Sequence, residues 1–433
     1  MARKDKAEQV ETTDAPSEKD VVKLSKLLIK EFNKNEKETG KLAWNLATDL
    51  DNPTEVKEWI STGSTLLDYI ISNRRNGGIP VGKLTEISGE EASGKSLLCS
   101  HLAAEVQRRG GIVAYIDTEN AMHPEFAKQL GVDLNKMIYL QPGTIEEVGE
   151  TIEKVILLTR QKAADKLVLV IWDSVAGTPS QAEIEGNFDP NDRIGVTAKA
   201  LAKMMRKLTQ VLGKERIALV FTNQLKVKIG VMYGDPMTTP GGKAIPYHAS
   251  VRVRLNRSTL DKAEGKEEEG SGLDALGVNT IAKVVKNRCG PPLRKCRFTI
   301  SFARGIEDID SWFEFLHEQK VISKGGGMCY IDEFTQFAIP KAEAALAAAK
   351  DDKELSAQIK LFLVKLKSEK GFGFREKQWE ATVKETPYLE DWLKDKLESL
   401  MVIKFGEKPH DMEMDPESLM ETEEVVAELT NPQ

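Results

Sequence analysis

Residues 89–96 read GEEASGKS and fit the pattern G-x-x-x-x-G-K-[ST] of a phosphate-binding loop. The loop follows the strand candidate KLTEIS and opens the helix candidate KSLLCSHLAAEVQRR, which is the context that the pattern requires. A glycine-rich turn without function is the alternative, and these flanking elements argue against it. Glycines allow the tight backbone path, successive N–H groups surround a phosphate, the lysine reaches the β- and γ-oxygens, and the serine ligates magnesium. The sequence therefore predicts a site for ATP and Mg²⁺ formed by Gly89, Glu90, Glu91, Ala92, Ser93, Gly94, Lys95 and Ser96.

Two other apolar strand candidates end in acidic residues. LVLVIWD ends at Asp173, where folds of this kind hold magnesium, often through water. IVAYID is followed by Thr118 and Glu119, so both Asp117 and Glu119 are candidates for orienting or deprotonating the attacking water. Position alone leaves that choice open, and a plain structural role for either acid remains the alternative.

The segment from Ser61 to Ala303 alternates short apolar runs with amphipathic stretches. This alternation predicts an α/β fold with a mostly parallel central sheet flanked by helices. The last three strand candidates follow one another without long helices, which predicts an antiparallel edge. The strand candidates are KLTEIS, IVAYID, MIYLQP, LVLVIWD, IALVFTN, SVRVRL, TIAKVV and CRFTIS, and the helix candidates include 95–109, 145–162 and 197–212.

Four regions are predicted along the chain. Residues 1–60 are predicted to hold a polar, disordered start and an amphipathic helix capped at Asp20. This helix packs on its own domain or docks on a neighbouring subunit. Residues 61–306 form the core, 307–408 a smaller C-terminal domain, and 409–433 an acidic tail. No apolar run approaches the ~20 residues that cross a bilayer. The scattered cysteines, Cys99, Cys289, Cys296 and Cys329, predict reduced thiols in a cytosolic protein.

The net charge of −7 at first disfavours a nucleic-acid partner. Eight acidic residues follow Lys408, however, and no Lys or Arg does; without them 61 basic residues stand against 60 acidic ones. The rest of the chain is therefore nearly neutral and can hold local basic surfaces. The acidic tail would compete with DNA for these surfaces.

Several segments resemble the RecA recombinases, bacterial or viral, in their order and approximate spacing from about Trp59 to Ala303. They are ISTGSTLLDYII, GEEASGKS, AYIDTENAMHPEFAKQLGVD, AEIEG, MMRKLTQ, FTNQLKVKIGVMYGDP, GGKA, ASVRVRL and KVVKNR. The resemblance implies a RecA-like P-loop NTPase core with an N-terminal helix and a small C-terminal domain.

The resemblance also implies roles for individual residues. It favours Glu119 as the catalytic glutamate, and it makes Gln224 the sensor that links the γ-phosphate to the following loop. Lys286 and Arg288 correspond to two basic side chains that reach the neighbouring subunit's ATP. His123 and Phe126 replace the acid and tyrosine that usually flank the adenine; Phe126 keeps a stacking surface, whereas the polar contact from His123 is in doubt.

Two loops match the family's DNA-contacting elements, at 185–195 and 225–244. Cations and glycine N–H groups contact phosphates without reading sequence, and an apolar side chain wedges between bases. Composition alone would equally suit ordinary surface loops. The implied DNA-binding residues are Arg193, Ile194, Lys199, Arg206, Lys228, Thr238, Gly241, Gly242, Lys243, Arg257 and Lys283.

The resemblance thus implies an ATP-dependent helical filament on single-stranded DNA that pairs with homologous double-stranded DNA and exchanges strands. It further implies loading and single-strand-binding proteins as partners, no membrane, and the cytoplasm of a bacterium or of a virus-infected bacterial host. The alternatives are a ring-forming helicase with the same ATPase core and a DNA-coating protein that binds ATP without turnover. The loops at 185–195 and 225–244 weigh against the first alternative, and Glu119, Lys286 and Arg288 weigh against the second.

Overall fold

The computed structural model describes residues 18–35, 41–49, 52, 54–186, 195–213, 215–227, 236–262, 275–349 and 352–404. They belong to two compact units, Met1–Val56 and Lys57–Gln433. The first unit contains helix α1 (Glu18–Phe32), whose residues Leu24, Leu27 and Leu28 are exposed. The predicted helix is present, but the predicted cap at Asp20 is wrong, because the helix begins two residues earlier and Asp20 lies in its first turn.

The second unit contains the strands and the remaining helices. The strands are β1 (Trp59–Ile60), β2 (Ile79–Pro80), β3 (Leu84–Gly89), β4 (Ile112–Asp117), β5 (Met137–Leu140), β6 (Val168–Asp173), β7 (Ile217–Gln224), β8 (Lys226–Val227), β9 (Met237–Thr238), β10 (Val251–Lys262), β11 (Ala275–Asn287), β12 (Lys295–Ser301), β13 (Gly305–Glu307), β14 (Ser323–Gly325), β15 (Met328–Tyr330) and β16 (Gly373–Phe374). The helices are α2 (Thr65–Ser72), α3 (Lys95–Arg108), α4 (Pro124–Gln129), α5 (Ile145–Lys162), α6 (Gln181–Ile184), α7 (Val196–Leu212), α8 (Ala244–His248), α9 (Asp308–Glu318), α10 (Asp332–Ala348), α11 (Lys353–Leu366), α12 (Trp379–Glu385) and α13 (Leu389–Met401).

Nine strands form one sheet in the order β13–β12–β11–β10–β3–β7–β6–β4–β5. The strands from β10 to β5 in that order pair in parallel, whereas β10, β11, β12 and β13 pair antiparallel with one another. The prediction of a mostly parallel sheet with an antiparallel edge is therefore confirmed. The parallel order brings the carboxyl ends of β3, β4, β6 and β7 to one edge, where ligands of such sheets bind.

Strand β6 shows why this sheet is covered on both faces. Its side chains alternate in direction, so Leu169 and Ile171 pack into one buried cluster while Val170 and Trp172 pack into another. Helices α2 and α3 contribute to the first cluster, and helices α5 and α7 contribute to the second. Fully burying each large apolar side chain stabilises the fold by about 1.5–3 kcal/mol. The near-continuous apolar run of this strand is typical of such two-sided burial.

The C-terminal part combines helices α9 to α13 with a small sheet of β14, β15 and β16. Aromatic side chains hold it together: Phe334 lies 5.1 Å from Phe372 and 5.6 Å from Trp392 between ring centroids. The predicted boundaries at residues 60, 306 and 408 stay predictions. Within the described ranges, no helix is both long and apolar enough to cross a membrane. All four cysteines are free thiols.

A buried carboxyl at the start of α2 makes stability depend on pH. Asp68 accepts hydrogen bonds from Ser61 Oγ (2.5 Å), Thr62 Oγ1 (2.7 Å) and the Thr62 backbone N–H (2.9 Å). Burial raises the pKa of Asp68 to about 7, and the nearby charge of Asp308 also raises it. The hydrogen bonds from Ser61 and Thr62 act in the opposite direction. Because this pKa lies above its unfolded value of 3.8, the folded state holds the proton more tightly than the unfolded state does. The contribution of Asp68 to stability therefore falls as the pH rises from 3.8 to about 7.

We expect the Asp68→Asn variant to lose that dependence. Between pH 5 and pH 7 the free energy of unfolding of the wild type should fall relative to that of the variant by about 2 kcal/mol. Thermal melts of both proteins across this range measure the difference, with Asp165→Asn as an exposed control. A constant difference across the range would contradict the raised pKa.

Candidate nucleotide site and adjoining loops

The phosphate-binding loop connects the end of β3 to the start of α3. Lys95, the first residue of α3, folds its side chain back over the loop and donates from Nζ to the carbonyls of Gly89 (3.1 Å) and Glu90 (2.6 Å). Ser93 Oγ donates to the carbonyl of Glu90 at 2.8 Å, which closes the turn. The predicted strand, loop and helix are thus present, and the loop ends on the N-terminus of a 14-residue helix. Ser96 lies in the first turn of that helix, one residue after Lys95.

The backbone path explains the need for glycine at Gly94. Its φ is +94°, in the left-handed region, and an added Cβ would lie 2.3 Å from Ile300 Cδ1. Side chains other than glycine are strained at such a φ even without a clash. Glycine at this position therefore serves both the turn and the close packing of β12 beneath it.

We expect Gly94→Ala to lower ATP affinity at least about tenfold and to cost about 1–3 kcal/mol of stability, since strain and clash act together. Gly110→Ala is the matched control, because its φ is +72° and nothing lies within 4 Å of the added Cβ. The control should lose about 1 kcal/mol of stability and keep ATP affinity. Binding of a fluorescent ATP analogue and thermal melts measure both effects; equal behaviour of the two variants would contradict this account.

Asp173 lies at the tip of β6 with both carboxylate oxygens in use. It accepts from Tyr115 Oη at 2.8 Å and from Thr222 Oγ1, and its side chain is buried. Burial lowers the pKa of Lys95, while the negative charges of Asp173 and then Glu119 oppose that shift. Both carboxylates thus lie within electrostatic reach of the Lys95 ammonium group.

Asp117 and Glu119 lie in contrasting surroundings. Asp117 is buried and accepts from the backbone N–H groups of Glu119 (3.1 Å), Ala121 (3.2 Å) and Met122 (3.0 Å) and from Tyr139 Oη (2.9 Å). These contacts make Asp117 the organiser of the turn after β4. Glu119 is exposed and accepts from Ser174 Oγ, next to Asp173. Of these two carboxylates, that of Glu119 is the exposed one, so it has access to a water molecule.

Gln224 ends strand β7 directly beside Gly89, its register partner at the end of β3. Its backbone N–H donates to Asn223 Oδ1 at 3.0 Å. The residue that the resemblance makes a sensor therefore lies beside the first residue of the phosphate-binding loop and directly before residue 225. The half-buried Phe126 lies in α4, and His123 caps that helix by accepting from the Phe126 N–H at 3.3 Å. This capping bond uses Nδ1 of His123.

The residues fit a nucleoside triphosphate with its magnesium. An added Cβ at Gly89 would lie 2.3 Å from Ser93 Oγ and 2.7 Å from the Leu255 carbonyl, so the turn has no room for a side chain. Lys95 supplies the cation, and Ser96 and Asp173 are hard oxygen donors that suit Mg²⁺. Among the described residues, no group of three or more His, Cys, Asp or Glu side chains could hold a metal by itself.

Lys286 and Arg288 converge on one backbone carbonyl at the end of α8. Lys286 Nζ donates to the carbonyls of Pro246 (2.6 Å) and Tyr247 (3.1 Å), and Arg288 donates to that of Tyr247 at 2.9 Å. The pKa of Lys286 is lowered to about 8. Burial is the main cause, and the positive charges of Arg288 and Arg252 contribute. The two cations thus lie together at the C-terminal end of β11.

The implied DNA-binding residues divide into separate groups. Gly241 and Gly242 pack against α7: added Cβ atoms would lie 2.9 Å from Leu201 Cδ1 and 3.1 Å from Ala198 Cβ. Helix α7 also carries the exposed Lys199 and Arg206. Thr238 ends β9, and Lys243 is the exposed residue before α8. Arg193, Ile194 and Lys228 lie outside the described residues.

Arg257 and Lys283 do not come together. Lys283 is the register partner of Arg254, whereas Arg257 is the partner of Thr280. Because side chains alternate along a strand, Arg257 and Lys283 point to different faces of the β10–β11 hairpin.

Sequence reasoning missed a buried polar group beneath the second loop. It consists of Glu86 on β3, Asn223 on β7 and Arg252 on β10. The signal was present in KLTEIS, where a glutamate lies within a strand that is buried along its whole length. A glutamate is almost never fully buried unless it is paired, so a buried partner was to be expected. Tyr115 and Thr222, the partners of Asp173, were missed as well, and their apolar surroundings carry no comparable signal.

The chain is similar in sequence to RecA proteins of several bacteria. The family model of the RecA N-terminal domain matches residues 26–307. The protein RecA of Ruminococcus albus is 39% identical over 277 residues, which is 64% of this chain and 65% of that protein, slightly under two thirds. The protein RecA of Streptomyces venezuelae is 38% identical over 325 residues, 75% of this chain and 80% of that protein. That of Clavibacter michiganensis is 40% identical over 267 residues, 62% of this chain and 69% of that protein.

Proposed function

Because this chain belongs to the RecA family, we propose that it is an ATP- and single-stranded-DNA-dependent recombinase that forms helical filaments and catalyses homologous pairing and strand exchange. The observation that carries the proposal is the family match over residues 26–307, which includes the phosphate-binding loop, both carboxylate-bearing strand ends and both loop regions. The proposed setting is recombination and repair in the cytoplasm of a bacterium or of a virus-infected bacterial host.

In this proposal the loop residues bind and orient the triphosphate. Lys95 leaves the carbonyls of Gly89 and Glu90 and turns its ammonium group to the β- and γ-oxygens. Ser96 and Asp173 would hold Mg²⁺, which would neutralise the charge that develops during phosphoryl transfer. Glu119 orients the attacking water and accepts its proton, a role supported by its exposure and by its contact with Ser174 beside Asp173.

Hydrolysis in this proposal depends on assembly. Lys286 and Arg288 reach the γ-phosphate held by the neighbouring subunit and stabilise transition-state charge there. Their present hydrogen bonds to backbone carbonyls are interactions that a more negative partner would replace. The exposed apolar residues of α1, such as Leu24, Leu27 and Leu28, suit docking between subunits.

DNA contact in this proposal comes from the two loop regions that flank α7. Lys199, Arg206 and Lys243 neutralise phosphates of single-stranded DNA without reading sequence, so the bases stay free for pairing with a homologous duplex. Gln224 links the nucleotide to the second of these regions because it joins Gly89 to residue 225 onward. Loading and single-strand-binding proteins are the further proposed partners.

The test is ATP hydrolysis measured with and without single-stranded DNA, with electron microscopy of the same samples. We expect strong stimulation by DNA together with long helical filaments. Closed rings on DNA would favour a helicase-type relative, and DNA binding without turnover would favour a coating protein. Hydrolysis that ignores DNA would contradict the proposal.

A further inference from the structure

The carboxylate of Glu86 is the centre of a buried polar cluster behind the phosphate-binding loop. Glu86 is fully buried on β3, three residues before Gly89. One carboxylate oxygen accepts from Asn223 Nδ2 at 3.0 Å, and the other accepts from the guanidinium of Arg252 in a salt bridge. We call Glu86, Asn223 and Arg252 the Glu86 cluster. Both oxygens are thus satisfied, which a buried charge requires.

The Glu86 cluster also holds the returning end of the loop at 225–244. Arg252 donates to Thr239 Oγ1 at 3.3 Å, and Asn223 Nδ2 donates to the Pro240 carbonyl at 3.2 Å. Thr239 is buried at this contact. The chain then passes through Gly241 and Gly242 to α8, so Thr239 and Pro240 fix where the loop leaves the sheet.

Lys286 lies on the same face of the sheet as Glu86 and Arg252. Arg252 is the register partner of Glu86 on one side and of Lys286 on the other, so the three side chains point the same way. The positive charge of Arg252 contributes to lowering the pKa of Lys286, which places the two groups within electrostatic reach. Lys286 in turn donates to carbonyls of α8, the helix that the loop leads into.

We propose that Asn223, Glu86 and Arg252 are positioning residues that hold the Thr239–Pro240 segment of the DNA-binding loop to the strand of the phosphate-binding loop, and so couple DNA binding to hydrolysis. The inference rests on the proposed function. Asn223 is next to Gln224, and it contacts both Glu86 and Pro240, so a change at the nucleotide reaches the loop through a single side chain. None of the three needs to touch DNA or nucleotide.

Thr239 offers a sharper test than the cluster itself. Removing Glu86 would leave the partly buried guanidinium of Arg252 without its ion-pair partner, and such a loss is often enough to unfold a protein. Thr239→Val removes only the hydroxyl that accepts from Arg252 and keeps the shape of the side chain. Thr239→Ser restores that hydroxyl. Thr85→Val is the matched control, because Thr85 is buried on β3 and its hydroxyl has no hydrogen-bond partner.

The first measurement is amide hydrogen exchange of residues 237–248 in the full-length, nucleotide-free protein. We expect Thr239→Val to speed exchange there about tenfold, as loss of one hydrogen bond to a charged group implies. Thr239→Ser and Thr85→Val should match the wild type. Unchanged exchange in Thr239→Val would overturn the contact on which the inference depends.

The second measurement is ATP hydrolysis titrated with single-stranded DNA. Thr239→Val should raise the DNA concentration for half-maximal stimulation about tenfold, while the ATP concentration for half-saturation without DNA stays within about twofold. Faster exchange with an unchanged DNA titration would overturn the positioning role and leave a purely structural contact. A wild-type protein that ignores DNA would instead overturn the proposed function, so the two failures are distinguishable.

Discussion

Replacing Glu119 by glutamine should lower DNA-stimulated ATP hydrolysis by about 10²–10⁴-fold, the usual contribution of a general base. The amide keeps the size of the side chain and can still accept from Ser174 Oγ, but it cannot take a proton from water. ATP binding and filament formation should persist, because Lys95 and the loop backbone remain intact. Single-turnover hydrolysis, ATP-analogue binding and electron microscopy of the variant measure these three properties.

Glu150→Gln is the control for this prediction, since Glu150 is an exposed glutamate on α5. It should hydrolyse ATP at the wild-type rate. Asp117→Asn provides a contrast: Asp117 accepts four hydrogen bonds that shape the turn carrying Glu119, so its loss should lower thermal stability as well as turnover. Wild-type turnover in Glu119→Gln would refute the role proposed for this carboxylate.

Replacing Lys286 by alanine should lower DNA-stimulated hydrolysis by about 10³-fold or more, which is the scale on which a cation supplied by another subunit acts. ATP binding by the isolated subunit should be unchanged, because Lys286 contacts carbonyls of α8 and not the phosphate-binding loop. Arg288→Ala should show a loss of the same kind. Lys295→Ala, which removes an exposed lysine from β12, is the control and should retain activity.

Mixing two inactive variants distinguishes action between subunits from action within one. Lys286→Ala has a complete phosphate-binding loop but lacks the cation, and Lys95→Ala has the cation but a defective loop. In a mixed filament the cation of the second variant faces the ATP of the first, so hydrolysis should reappear and pass through a maximum as the ratio changes. Absence of activity at every ratio, with filaments present, would refute action between subunits.

Much of the secondary structure of the core could be predicted from local sequence patterns. The segment 145–162 was predicted as a helix and forms α5 with the same bounds, and IVAYID forms β4 residue for residue. Such elements are encoded by periodicity within a few residues, so a linear sequence contains the information. The cap at Asp20 was wrong because helix ends depend on one or two residues and carry a weaker signal.

The candidate nucleotide site was partly accessible in the same way. Gly89, Gly94, Lys95 and Ser96 are contiguous, and their chemistry depends on backbone conformations that the glycines themselves permit. The resemblance to RecA recombinases added the candidates that lie far apart in sequence, such as Gln224 and Lys286. It did not indicate that Lys286 and Arg288 share the Tyr247 carbonyl as acceptor.

What the sequence determined by itself is therefore the individual strands and helices of the core and the turn of the candidate phosphate-binding loop, because both follow from local periodicity and local backbone freedom. Only the tertiary structure decided that Asp117 is enclosed by four donors while Glu119 stays exposed. It also decided that Glu86 meets Asn223 and Arg252, separated from it by 137 and 166 residues. These contacts depend on β3 lying between β7 and β10, and strand order is set by packing of the whole sheet and not by any single segment.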